Sequence, residues 1–162
     1  MAKLNILKET EPLLRKKSRE VEAVTPKILT LLDDMTETMR AANGCGLAAP
    51  QVGILRRVVV IEVEDGVVYE MINPKITKRK GEQEEIEGCL SVPGKYGITH
   101  RPETVTVEYT DRDGNRCELT GTDLLARAIC HETDHLDGTL FIDHALRILT
   151  AEELAEMTED DE

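Results

Sequence analysis

Two histidines four residues apart, with a glutamate directly after the first, form the strongest chemical signal in the chain: His131-Glu132-Thr133-Asp134-His135. On a helix, residues at i and i+4 lie one turn above each other, so both imidazoles can meet one metal ion. Glu132 is offset around the axis and reaches a water beside the ion rather than the ion itself. A divalent ion lowers the pKa of that water and a carboxylate can take its proton, which is hydrolytic chemistry. A catalytic site of this kind needs a third protein ligand and one open position. A third His in the pattern H-x-x-G-x-x-H fails, because Gly138 fits but Phe141 stands where the His belongs. Glu152, Glu153 and Glu156 further on keep an ordinary metalloprotease arrangement open. Cys89 in Glu87-Gly-Cys-Leu-Ser-Val-Pro93 is the other option, although an isolated Cys is more often a small buried hydrophobe.

Three segments read together narrow the choice. Gly44-Cys-Gly-Leu-Ala-Ala-Pro-Gln51, Glu87-Gly-Cys-Leu-Ser91 and His131-Glu-Thr-Asp-His-Leu136 occur in this order. They resemble the three signature motifs of peptide deformylase, G-x-G-h-A-A-x-Q (h apolar), E-G-C-x-S and H-E-x-x-H, in a chain of similar order and size. The likeness to a bacterial-type peptide deformylase implies that Cys89, His131 and His135 hold one divalent metal. It implies Fe2+ in the cell, with Ni2+, Co2+ or Zn2+ able to substitute, and Glu132 as general base and then acid. The resemblance further implies that Gln51 and the backbone N–H of Leu90 hold a developing oxyanion, the donors that attack on a formyl carbonyl requires. The implied substrate is the N-terminal formyl-methionine of newly synthesised polypeptides, with formate released.

Gly44 and Gly46 would let the loop carrying Gln51 come close without Cβ clashes. Leu124 and Ala128, at i−7 and i−3 from His131, are candidates with Gly46 for an apolar methionine pocket, although ordinary core residues share that spacing. Cys130 stands where the family usually has Gln. Position 130 points about 100° away from His131, so a change behind the ligands is expected and not a lost ligand. Two readings stand beside this one: a zinc endopeptidase using a downstream Glu, and a silent homologue that binds peptide N-termini or metal without turnover. Intact Glu132 and Gln51 speak against the second.

The elements that must position these residues are legible in part. A short helix is expected near Glu9-Thr10 with Pro12 in its first turn. A longer one follows Thr25-Pro26, an N-cap and first-turn proline, carries Ile28, Leu31, Leu32, Met35 and Met39 on one face, and ends at Asn43-Gly44. Gly44–Gln51 is too rich in Gly and Pro for a regular element. Val58–Val63 and Val67–Ile72 read as a hairpin around Glu64-Asp65-Gly66, and Thr104–Thr110 pairs through Asp113-Gly114 with Arg116–Thr120. Lys78–Glu87 reads as an exposed loop or edge strand. The chemical helix runs from a Thr122 cap to Asp137 and stops at Gly138. Thr150 with Glu153 forms a capping box for a last helix that frays over Glu159–Glu162. The expected architecture is α+β, with small antiparallel sheets packed around a central helix carrying HExxH, in a single domain over residues 1–162.

Composition excludes several function classes. The chain has 32 acidic and 20 basic residues and a formal net charge of −12, which opposes unassisted binding to nucleic acid or anionic lipid. No signal peptide, transit peptide or run of ~20 apolar residues is evident, so the cytoplasm is the expected place, with no membrane partner. Cys45, Cys89, Cys117 and Cys130 are then free thiols or metal ligands. Formyl-Met nascent peptides are the expected partners. Contact with the ribosome is expected to be transient, because residues 151–162 contain no Lys or Arg. His100 and His144 read as surface or hydrogen-bonded core residues.

Overall fold

Val58-Val-Val-Ile61 is apolar at every position, as expected where both faces of a strand are covered. In the computed structural model, which describes residues 2–160, the chain runs α1 (Pro26–Ala41), β1 (Gly46–Ala48), β2 (Val58–Glu64), β3 (Val67–Lys80), β4 (Gln83–Cys89), β5 (Val92–Arg101), β6 (Thr104–Thr110), β7 (Arg116–Thr122), α2 (Asp123–Leu136), β8 (Arg147–Thr150) and α3 (Ala151–Asp160). Five strands pair antiparallel in the order β1-β2-β3-β6-β7, and three in the order β4-β5-β8.

The double-sided burial of β2 divides the core. Val58 and Val60 join Leu32, Met35 and Met39 of α1 on one face. Val59 and Ile61, with Met71, Val105 and Val107, meet Ala126, Ile129 and Leu136 of α2 on the other. α2 packs on β1, β2, β6 and β7 of the larger sheet and also reaches β5 of the smaller one. His131 and His135 both lie on α2.

Several expectations change in detail. The Gly44–Gln51 segment is not irregular, since it contains β1 and a 3-10 turn over Ala49–Val52. Short pairing with β2 (Gly46↔Ile61 to Ala48↔Val59) supplies the order that local composition does not. The first helix is a single 3-10 turn, Pro12–Arg15. Thr122 occupies the N-cap of α2 but makes no side-chain cap bond, because β7 runs straight into the helix. Thr150 Oγ1 does accept from Glu153 N at 3.1 Å, yet the Glu153 carboxylate accepts from the Thr150 hydroxyl at 3.3 Å rather than from the Thr150 backbone N–H. α3 remains helical to Asp160; the rest of the expected frayed end, residues 161–162, lies outside the described residues. β5 and β8 have no counterpart among the expected strands.

Gly138 ends α2 in the left-handed region at φ 78, where an added Cβ would run into the backbone carbonyl of Arg15. Both effects penalise a side chain. Gly138→Ala is therefore expected to destabilise the protein by roughly 1–3 kcal/mol, read as a Tm lowered by roughly 2–10 °C.

Candidate metal centre

Two secondary elements bring three donor atoms together. The i, i+4 spacing on α2 places His131 Nε2 and His135 Nε2 3.3 Å apart. β4 ends at Cys89, which pairs with Val92 across a tight turn, and this delivers Cys89 Sγ to 3.4 Å from His135 Nε2. The three ligand atoms lie within 4.8 Å of one another, and they form the one such group of His, Cys and carboxylate atoms among the described residues. A tetrahedral ion with M–N of about 2.1 Å and M–S of about 2.3 Å sets its ligand atoms roughly 3.3–3.6 Å apart, so the observed edges suit one divalent ion. Glu152, Glu153 and Glu156 lie on α3 and do not join the group, which removes the downstream-Glu arrangement.

The imidazole of His131 is held from behind. Its Nδ1 lies 2.9 Å from Glu87 Oε2, a bond that orients the ring with Nε2 toward the cluster, where a neutral imidazole protonated on Nδ1 would ligate a metal through Nε2. The Glu87 carboxylate also accepts from Thr99 Oγ1 at 2.7 Å and from Arg101 Nε and Nη2 at 2.8 and 3.1 Å. Burial alone would raise the pKa of Glu87, but His131 and Arg101 hold it well below the usual carboxylate range. Arg101 further donates to Asp134 at 2.7 Å. Burial lowers His135 well below the ordinary histidine value, which favours its neutral, ligating form.

Glu132 is 4% exposed, and burial pushes its carboxyl up to about 7. Its Oε1 has no hydrogen-bond partner among the described residues. Glu132 lines a cleft of about 560 Å³ together with Gly44, Gly46, Gln51, Cys89, Leu90, Leu124, Ala128 and His131. All the residues expected at the site therefore border this cleft except His135, which closes the cluster from below at 1% exposure. Gln51 Oε1 accepts from Ala48 N at 2.9 Å, which fixes the amide so that Nε2 faces Ser91 Oγ at 3.0 Å and Cys89 Sγ at 3.7 Å.

The motif glycines have a steric reason. A Cβ on Gly44 would stand 2.6 Å from Leu90 Cδ1, and one on Gly46 would stand 2.5 Å from Glu132 Oε2. Gly46→Ala must therefore displace the carboxylate, since the strand itself adopts an ordinary conformation. Hydrolytic turnover at this site is expected to fall at least about tenfold, the equivalent of about 1.4 kcal/mol, with Tm nearly unchanged.

Other residues were not visible in the sequence. Glu87 lies in the middle motif but at the end of a charge-rich segment expected to be exposed, whereas it is 7% exposed. Arg101 and Thr99 carried no signal, because their partners are distant in sequence. Ile86, Tyr96 and Arg127 also line the cleft. Leu124 is 42% exposed and stands at the rim rather than deep in a pocket. Cys130 points away from the cleft into the core against the larger sheet, and burial pushes its thiol up to about 11. His144 sits 3.5 Å from Asp134, and His100 is exposed beside Glu82 and Glu84.

A helix-borne histidine pair, a cysteine donor and a buried carboxyl at one cleft define the class: a metal-binding hydrolase. The family model described as polypeptide deformylase matches residues 3–150. A peptide deformylase of Caldanaerobacter subterraneus subsp. tengcongensis is 54% identical over 154 residues, covering 95% of this chain and 96% of the relative. One from Agathobacter rectalis is 54% identical over 159 residues, covering 96% and 100%. Among solved structures, a peptide deformylase from Legionella pneumophila superposes with a TM-score of 0.86 at 38% identity, over 99% of this chain and 98% of that one. The chain belongs to the polypeptide deformylase family. No helix among the described residues is long and apolar enough to cross a membrane.

Proposed function

We propose that residues 1–162 act as one catalytic domain in which Cys89, His131 and His135 hold the metal while Glu132 moves the proton. The enzyme removes the N-formyl group from the formyl-methionine of nascent polypeptides and releases formate. The observation that carries the assignment of roles is the buried Glu132 carboxylate, whose Oε1 has no partner among the described residues, beside three donor atoms at ligand spacing. When bound, the metal supplies a Lewis acid that lowers the pKa of water and polarises a carbonyl. Thiolate and imidazole donors suit Fe2+, the ion we assign in the cell, and also Ni2+, Co2+ or Zn2+.

The chain's own residues do the rest. Glu132 Oε1 takes a proton from the attacking water and returns it to the leaving amine nitrogen. Gln51 Nε2 and the backbone N–H of Leu90 stabilise charge on the formyl oxygen. Gly44 and Gly46 keep the wall close to that oxygen, so a formyl hydrogen fits where an acetyl methyl group does not. Ala128, Ile86 and the rim residue Leu124 offer apolar surface for the methionine side chain. We place the enzyme in the cytoplasm, where nascent formylated chains arise.

Formate release from a formyl-Met tripeptide, by protein prepared without oxygen and loaded with Fe2+ or Ni2+, tests this reading. Turnover of the formyl peptide with none of the acetyl analogue is expected. A folded, metal-loaded sample that released no formate would overturn it.

A further inference from the structure

The charged groups lining the cleft are Glu87, Lys95, Arg127, His131 and Glu132, and all but one have a partner or a role. Glu87 is held by His131 and Arg101, and Lys95 pairs with Glu9 at 3.1 Å. Glu132 carries the proton. Arg127 remains. It is half-buried on α2, four residues before His131. Among the described residues no carboxylate forms an ion pair with it, Asp123 one turn earlier on the same helix included.

The partner that Arg127 does have is neutral. Its Nη1 donates to Gln83 Oε1 at 2.8 Å. The Gln83 amide is fixed from the other side, because Nε2 donates to the backbone carbonyls of Pro102 and Asp123 at 2.9 and 3.0 Å. Gln83 lies in Glu82-Gln83-Glu84-Glu85, so the uncharged side chain of this run is the one that meets Arg127. A glutamate there could not make the two donor bonds. Gln83 therefore holds the guanidinium without neutralising it. A half-buried cation with unused donors and no counter-ion is costly in the free protein. It also presents the planar fork that a carboxylate takes in two parallel bonds. The charge is felt inside the cleft, since it acts on the Cys45 thiol on the β1 side.

We propose that Arg127 is a specificity-determining residue that receives a carboxylate of the substrate, favouring aspartate or glutamate at the second or third position, after formyl-methionine. The proposal rests on the deformylase reading above and extends it to the residues that follow methionine. The cleft continues from His131 along α2, past Ala128 and Arg127 to Leu124. Four residues of helix advance about 6 Å, and an extended peptide advances about 3.3 Å per residue. The second residue then lies level with Arg127, and the third lies within reach of its long side chain. The net charge of −12 does not oppose this. At physiological ionic strength exposed charges beyond about 8 Å are largely screened, so the groups lining the cleft decide.

The test measures formate release by the metal-loaded enzyme from C-terminally amidated peptides, formyl-Met-Asp-Ala and formyl-Met-Ala-Asp, each beside its Asn and Lys counterparts. In wild type kcat/KM for at least one acidic peptide should exceed that of its Asn counterpart by roughly three- to tenfold, as expected of a charged hydrogen bond that is partly screened. The contact is remote from the bond that breaks and persists through the reaction, so the difference should fall in KM and leave kcat similar. Arg127→Met should bring the Asp/Asn ratio close to one, and Arg127→Glu should turn the preference toward the Lys peptide. Raising salt to about 1 M, where the Debye length is about 3 Å, should shrink the wild-type ratio, a readout that needs no variant. The proposal is overturned if neither acidic peptide outperforms its Asn counterpart in wild type, or if the preference survives in folded Arg127→Met. Failure on every peptide, the uncharged ones included, would fall on the deformylase reading instead.

Discussion

Glu132→Gln is expected to lower kcat for formate release by about 10²–10⁴-fold, the range that a positioned acid–base group contributes. The amide matches the carboxylate in shape and fills the same 4%-exposed site beside Gly46, so packing is preserved. It cannot accept the proton of the attacking water. Proton transfer occurs only as the reaction proceeds, so KM should move by no more than a few-fold while kcat and kcat/KM fall together. The two His rings and Cys89 make no hydrogen bond to Glu132, so metal content should stay near one ion per chain. Steady-state kinetics, elemental analysis and a thermal melt on one preparation would separate these effects. A variant retaining more than about a fifth of wild-type kcat, far outside the acid–base range, would show that Glu132 is not the proton carrier.

Local features of this site were legible and distant ones were not. The His131/His135 pair follows from helix periodicity within one element, and so does the turn of Cys130 away from the cleft into the core. Val58–Ile61 and its hairpin partner announce themselves by β-branched runs around Glu64-Asp65-Gly66. Cys89 offers nothing by itself, and it stood out only because two other motifs flank it in order. β5 escaped notice because Pro93, Gly94 and Gly97 interrupt its apolar alternation; Gly97 is required there, since a Cβ would press on Phe141 at 2.8 Å. The Glu87–Arg101–Asp134 ion pairs join β4, β5 and α2, and no local pattern marks a buried Arg whose partners are fourteen and thirty-three residues away.

Cys89→Ala is expected to abolish useful metal binding, with a loss larger than the roughly 10–100-fold that removing an outer-shell partner costs. Two imidazoles 3.3 Å apart would remain, without the thiol ligand of the set. Cys89 is only half-buried at the end of β4, so the metal-free variant should melt close to metal-free wild type. The difference should appear on adding metal. Wild type at a free ion concentration 100 times its Kd gains about 2.7 kcal/mol of stability, whereas the variant at the same concentration should gain almost nothing. A thermal titration with Ni2+ or Co2+ reads this without any substrate. It also discriminates between architectures, because a site completed by a downstream Glu would keep most of its metal-induced stabilisation when Cys89 is removed. Undiminished stabilisation in Cys89→Ala would place the third ligand elsewhere, and the thiolate would revert to an ordinary small side chain under the Gln51 amide.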